Sequence, residues 1–170
     1  MNAMNALADK YGNGDKLNIL AFPCNQFGHQ SSVSNDELLN FLRYVRPGKG
    51  FEPAAGVTIF EKTEVNGRDA APVFKWMKSE LVLPSDGGGD TQNNGCADDD
   101  ALILPRDRGA TVEGREDSGT SLWMPVCRSD IAWNFEKFLF DQEGRAVRRY
   151  TRFYDTARIG ADIDVLLEDV

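Results

Sequence analysis

Cys24, Cys96 and Cys127 are the thiols of this chain and His29 its single imidazole, groups able to act as nucleophiles or metal ligands. A thiol does chemistry as the thiolate, which requires a lowered pKa and exposure. Cys24 follows Phe22-Pro23 with no cation beside it and reads as a buried structural thiol. Cys96 stands in an acidic stretch, where carboxylates disfavour the thiolate. Cys127 precedes Arg128 and alone has a neighbouring positive charge. The three are widely spaced, with no CxxC pair and no cluster with His29. That pattern points to no metal site and no disulfide framework, and fits free thiols in a reducing compartment.

The elements that must position these residues follow from periodicity. Met4, Leu7, Ala8 and Tyr11 fall at helical spacing, stopped by Gly12 and Gly14. Leu17–Phe22 reads as a short buried strand ending at Pro23, which lacks a ladder donor. Asn25–Ser34 is a polar loop. Ser34-Asn35-Asp36-Glu37 fits a capping box opening a helix with Leu38, Phe41, Leu42 and Val45 inward, ended by Pro47 and its flanking glycines. Val57–Phe60 is a strand, and Asn66-Gly67 a turn. Pro72 suits the first turn of a helix reaching about Leu81, with Val73, Phe74, Trp76 and Met77 as its apolar surface. Phe135–Phe140 and Ala146–Arg152 flank Asp141–Gly144 as a hairpin with a four-residue turn. A last amphipathic helix carries Ile159, Ile163, Leu166 and Leu167.

A length of 170 residues suits one domain, 1–170, with a buried core. The net charge of −8 argues against nucleic acid or an anionic membrane as partner. No apolar run approaches the ~20 residues that span a bilayer, and no secretory signal opens the chain. Ser85–Thr120 differs in kind: nine acidic residues against three arginines, a net −6, with glycine and asparagine runs that bury little. It reads as a disordered acidic insertion without chemistry. A partner-binding regulatory tail and a gene-model segment such as retained intron sequence are the other readings.

Two strings carry a resemblance. Phe22-Pro23-Cys24-Asn25-Gln26-Phe27-Gly28-His29-Gln30 and Trp133-Asn134-Phe135-Glu136-Lys137-Phe138-Leu139 resemble signature segments of the glutathione peroxidase family. Tyr44–Pro53, Phe60-Glu61-Lys62, Val65-Asn66-Gly67 and Pro125–Arg128 resemble its glutathione-using branch, so that the likeness covers roughly Met4–Leu83 and Leu122–Leu167. The resemblance implies an α/β, thioredoxin-like fold, a mixed sheet flanked by helices. It implies reduction of hydrogen peroxide and organic hydroperoxides in the oxidative-stress response, with glutathione as co-substrate and no bound cofactor. Peroxide reduction proceeds through a chalcogenolate anion, and neutral donors steady such an anion without blocking its attack.

Gln30, Trp133 and Asn134 match the family's donors around the nucleophile, and Arg46 and Arg152 match arginines that hold glutathione's carboxylates. Taken singly, Gln30 is a loop glutamine, Trp133 a core aromatic opening a strand, and Arg46 a helix-end cation. Phe153 stands in place of the arginine expected after Arg152, Ser34 in place of a loop lysine, and Ser31 in place of a glutamate. Leu42 stands where thioredoxin-using relatives carry a resolving cysteine, which disfavours thioredoxin as reductant. The family's selenocysteine or cysteine nucleophile lies ahead of the strand ending at Phe22-Pro23, and only Met1–Lys16 precede that strand. The expectation is therefore a chain lacking the nucleophile and the N-terminal strands, inactive as written, with a selenocysteine codon read as stop as one origin. A homotetramer is a further expectation of the resemblance; a cytoplasmic location is expected from the free thiols, with loss of an N-terminal targeting signal as the alternative. The alternative is a catalytically dead thioredoxin-fold scaffold.

Overall fold

A computed structural model describes residues 1–12, 14–85 and 123–168, so the acidic insertion lies, apart from Ser85, outside the described residues. The chain divides into two compact units: 1–25, 30–63 and 155–170 form one, and 26–29 with 64–154 the other.

The first unit holds α1 (Asn2–Lys10), β1 (Ile19–Ala21), α2 (Leu38–Tyr44), β2 (Val57–Ile59) and a C-terminal helix entered through a 3-10 turn, Thr156–Arg158. β1 and β2 pair in parallel, Ile19 opposite Val57 and Ala21 opposite Ile59, with α2 in the crossover. β1 is shorter than the predicted Leu17–Phe22 strand at both ends, starting at Ile19 and stopping at Ala21, before Pro23, which offers no N–H to extend the ladder. α1 buries Leu7 and Ala8, and Tyr11 just beyond it is also buried, as are Ile159 and Ile163 of the last helix. The spacing i, i+1, i+4 makes one narrow stripe, and each such large apolar side chain contributes about 1.5–3 kcal/mol on burial.

α2 departs from expectation at both ends. The capping box closes only halfway: Glu37 Oε2 accepts from Ser34 N at 3.4 Å and Ser34 Oγ at 2.9 Å. Because the serine hydroxyl donates to Glu37 instead of capping a backbone N–H, Asn35–Glu37 form a turn and the helix starts at Leu38. Leu38 is buried, whereas Val45, expected inward, is 65% exposed.

The second unit holds α3 (Pro72–Glu80), β3 (Lys137–Phe140) and β4 (Ala146–Tyr150). The last helix of the first unit, Ile159–Glu168, is α4 in chain order. Along α3 the buried line is Phe74, Met77 and Lys78; Val73 and Trp76, expected as apolar surface to bury, are exposed. β3 and β4 are antiparallel, Lys137 opposite Tyr150, with a bulge between Leu139 and Phe140. Asp141 closes the connection by accepting from Arg145 N at 2.8 Å and Glu143 N at 3.1 Å. Phe135, expected in the strand, instead has φ +65° in a turn, so β3 begins two residues later. Among the described residues no helix is long and apolar enough to cross a membrane.

Candidate functional site

Trp133 and Asn134 lie in the turn that leads into β3, both half-buried, in the second unit. The turn is closed by its own sequence: Glu136 Oε1 accepts from Ala132 N at 2.6 Å, spanning the two candidate residues. Glu136 is in turn fixed by Arg149 of β4, whose guanidinium lies 2.8 Å away with both side chains almost fully buried. Arg149 spends its remaining N–H groups on backbone carbonyls of Leu81, Val82, Ser129 and Asp130. A buried ion pair is tolerated only where all its donors and acceptors find partners, and this one does. The indole of Trp133 packs 5.7 Å from the Phe27 ring, tilted by 46°.

Upstream of the turn a second buried network pins the chain. Asp130 accepts from Lys78 Nζ at 2.9 Å, Trp123 Nε1 at 2.9 Å and Cys127 N at 2.8 Å. Asn66, fully buried, donates to Ile131 O and accepts from Ile131 N and from Lys78. Gln26 completes it, accepting from Val65 N and Asn66 N and donating to Asn66 O. Each buried polar group thus has a partner, which removes the 1–3 kcal/mol or so that an orphan would cost. Gly67 lets the two segments of this network approach: at φ +79°, an added Cβ would meet Trp123 Cβ at 2.8 Å. Sequence reading singled out none of Gln26, Lys78, Asp130, Glu136 and Arg149 for a role in the site. Lys78, Asp130 and Arg149 signalled only charge beside apolar neighbours, which surface residues share, whereas Gln26 and Glu136 stood inside the two motif strings.

Arg152 follows β4 in the same unit, half-buried, with its guanidinium 5.5 Å from the Trp133 ring and 4.4 Å from the Phe153 ring. Lys137 Nζ holds the segment after β4 by donating to Thr151 O and Tyr154 O at 2.9 and 2.6 Å. The structure therefore brings Trp133, Asn134 and Arg152 together in one unit. Gln30 and Arg46 belong to the other unit. Gln30 is half-buried, beside Ser31, whose N–H donates to Asn25 Oδ1 at 3.0 Å. Arg46 is exposed just beyond α2, its own N–H bonded to Phe41 O at 2.9 Å. Cys24 is buried, in keeping with a structural thiol, and Cys127 is exposed. Among the described residues no group of three or more His, Cys, Asp or Glu gathers to hold a metal ion.

The electrostatic setting of the first unit centres on Tyr11. Its hydroxyl lies 2.7 Å from both Gly160 O and Asp164 Oδ1, with Lys10 Nζ 2.7 Å from the hydroxyl and 2.9 Å from Asp164. The Tyr11 hydrogen bond, helped by Lys10, holds the Asp164 carboxyl below the usual carboxylate range. Burial raises the Tyr11 phenol above its ordinary value.

Residues 1–78 match the family model described as glutathione peroxidase. Glutathione peroxidase 1 of Mus musculus is 47% identical over 151 residues, 89% of this chain and 63% of that protein. Glutathione peroxidase 2 of Sapajus apella is 43% identical over 153 residues, 90% of this chain and 67% of that protein. The chain thus spans about 63% of the length of the mouse relative it matches. A solved structure described as "Crystal structure of Trgpx in apo form" superposes with a TM-score of 0.51 at 22% identity, covering 98% of this chain and 67% of that one. That likeness carries the fold, which is α/β and thioredoxin-like.

Proposed function

This chain belongs to the glutathione peroxidase family, and from that premise we propose that the protein reduces hydrogen peroxide and organic hydroperoxides with glutathione, as an antioxidant enzyme. Gln30, Trp133 and Asn134 are assigned as neutral donors to the anionic nucleophile, and Arg46 and Arg152 as the cations for glutathione's carboxylates. The observation that carries the reading is the Trp133-Asn134 turn, whose residues match the family motif and whose backbone is fixed by the buried Arg149–Glu136 pair. Rigid donors suit an anion that forms and disappears in each cycle, because no reorganisation is needed when charge develops. None of Cys24, Cys96 and Cys127 is assigned the nucleophile's part, and turnover is assigned to a polypeptide that carries one. Glutathione is a co-substrate in this reading, not a bound cofactor. A homotetramer fits the exposure of Tyr44 and Val45, 69% and 65%, and the location is taken as cytoplasmic.

The test is NADPH consumption coupled through glutathione reductase. The 170-residue chain is expected to show no turnover above background. Its extension by an N-terminal segment bearing a selenocysteine or cysteine nucleophile is expected to turn over. Trp133→Phe in that form should then slow the reaction on the order of a hundredfold, the low end of what one preorganised donor supplies. Robust turnover by the 170 residues, abolished by Cys24→Ser or Cys127→Ser, would move the nucleophile to that thiol.

A further inference from the structure

Arg152 differs from two other arginines of its unit. Arg145 and Arg149 are paired with carboxylates. The Arg152 guanidinium instead lies against two rings, 5.5 Å from Trp133 and 4.4 Å from Phe153. Among the described residues no hydrogen bond or ion pair engages its N–H groups. A guanidinium can stack its faces on aromatic rings while its in-plane N–H fork takes a carboxylate in two parallel bonds. The two kinds of contact use different parts of the same group, so neither excludes the other.

We propose that Trp133 and Phe153 together clamp the Arg152 guanidinium, so that a carboxylate of the thiol co-substrate docking on Arg152 is registered at the Trp133 indole. The inference rests on the peroxidase reading and adds a coupling to it. Arg152 and Phe153 are positioning residues: one links the docked anion to the indole, the other holds the guanidinium through a second ring contact. One effect transmits the event: the docked anion offsets the positive field over the indole. Phe27 on the indole, 5.7 Å away, restricts how Trp133 can respond. Phe153, standing where the family resemblance implies a second arginine, thus trades a carboxylate contact for a clamp on the first.

The test uses the 170-residue chain labelled with 5-fluorotryptophan, read by fluorine NMR, with the Trp133 resonance assigned through Trp133→Phe. Trp76 and Trp123 serve as internal controls. Titration with glutathione is expected to shift the Trp133 resonance along the binding isotherm measured by calorimetry, leaving the other two in place. The diethyl ester of glutathione should produce no such shift. Arg152→Met should weaken binding by about tenfold or more and abolish the shift. Arg152→Lys keeps the charge without the planar fork and should leave a reduced shift. Phe153→Ala should weaken binding by roughly two- to fivefold and shrink the shift. Arg152-dependent binding with an unmoved Trp133 resonance would overturn the coupling while leaving the carboxylate site standing. Equal binding by wild type and Arg152→Met, or no binding by wild type at millimolar glutathione, would remove the carboxylate site and the coupling with it.

Discussion

The turn bearing Trp133 and Asn134 and the helices α1 and α4 of the first unit are held by different physics. In the second unit the turn is anchored by buried charge: Arg149 on Glu136 on one side, Lys78 on Asp130 on the other, with Asn66 and Gln26 saturating the remaining groups. In the first unit the helices α1 and α4 bury apolar stripes, and the polar contacts, such as Lys10 with Asp164, are half exposed. Buried charge gives a unique geometry because any other arrangement strands an ion. Apolar packing contributes stability with looser directional demands. The Trp133-Asn134 turn therefore rests, in the second unit, on groups whose loss is costly.

The sharpest way to break this contrast is Asp130→Ala, which leaves Lys78, the Trp123 indole N–H and the Cys127 N–H without their acceptor. Unfolding by urea should show a loss of about 3–5 kcal/mol; a loss below about 1 kcal/mol would show that the network is not the anchor. Gly67→Ala comes next. It places a Cβ 2.8 Å from Trp123 Cβ at positive φ, and the overpacking should cost about 1–3 kcal/mol by the same measurement. In the first unit Tyr11→Phe removes the hydroxyl's contacts with Gly160 O and Asp164. The expected loss is about 1 kcal/mol, visible as a lower thermal midpoint.

The smallest effect concerns pH. Asp164 has a folded-state pKa below its unfolded value, owing to Tyr11 and then Lys10. The unfolded chain therefore binds the proton first, and the contribution is fully present above the unfolded value and disappears as pH falls through the folded one. Asp164→Asn should flatten the acid limb of a stability-against-pH curve slightly and leave neutral pH nearly unchanged. A steeper limb in the variant would reverse the assigned sign.

Local pattern made much of the fold legible. α1, α3, α4 and the β3–β4 hairpin lie where apolar spacing and turn residues put them, because each depends on neighbours a few positions away. Errors fell at boundaries where a side chain chose another partner. Ser34 donated to Glu37 and moved the start of α2. Glu136 reached back to Ala132 and left Phe135 in a turn. The candidate site was read as motif residues, Gln30, Trp133 and Asn134, and the network that supports the Trp133-Asn134 turn was not legible. Lys78 meets Asp130 across 52 positions and Asn66 meets Ile131 across 65, and no periodicity announces such pairs.

The sequence by itself determined the family, through two motif strings, and the types of group available: neutral donors, arginines and three thiols of which Cys24 reads as structural. It also determined that Phe153 follows Arg152. Tertiary structure alone decided that Arg149 and Lys78, charged residues on a strand and a helix, are interior anchors. It alone decided that Phe153 and Trp133 both lie against one guanidinium. The physical reason is that a charge's partner is set by distance in space, and a chain reveals only distance along itself.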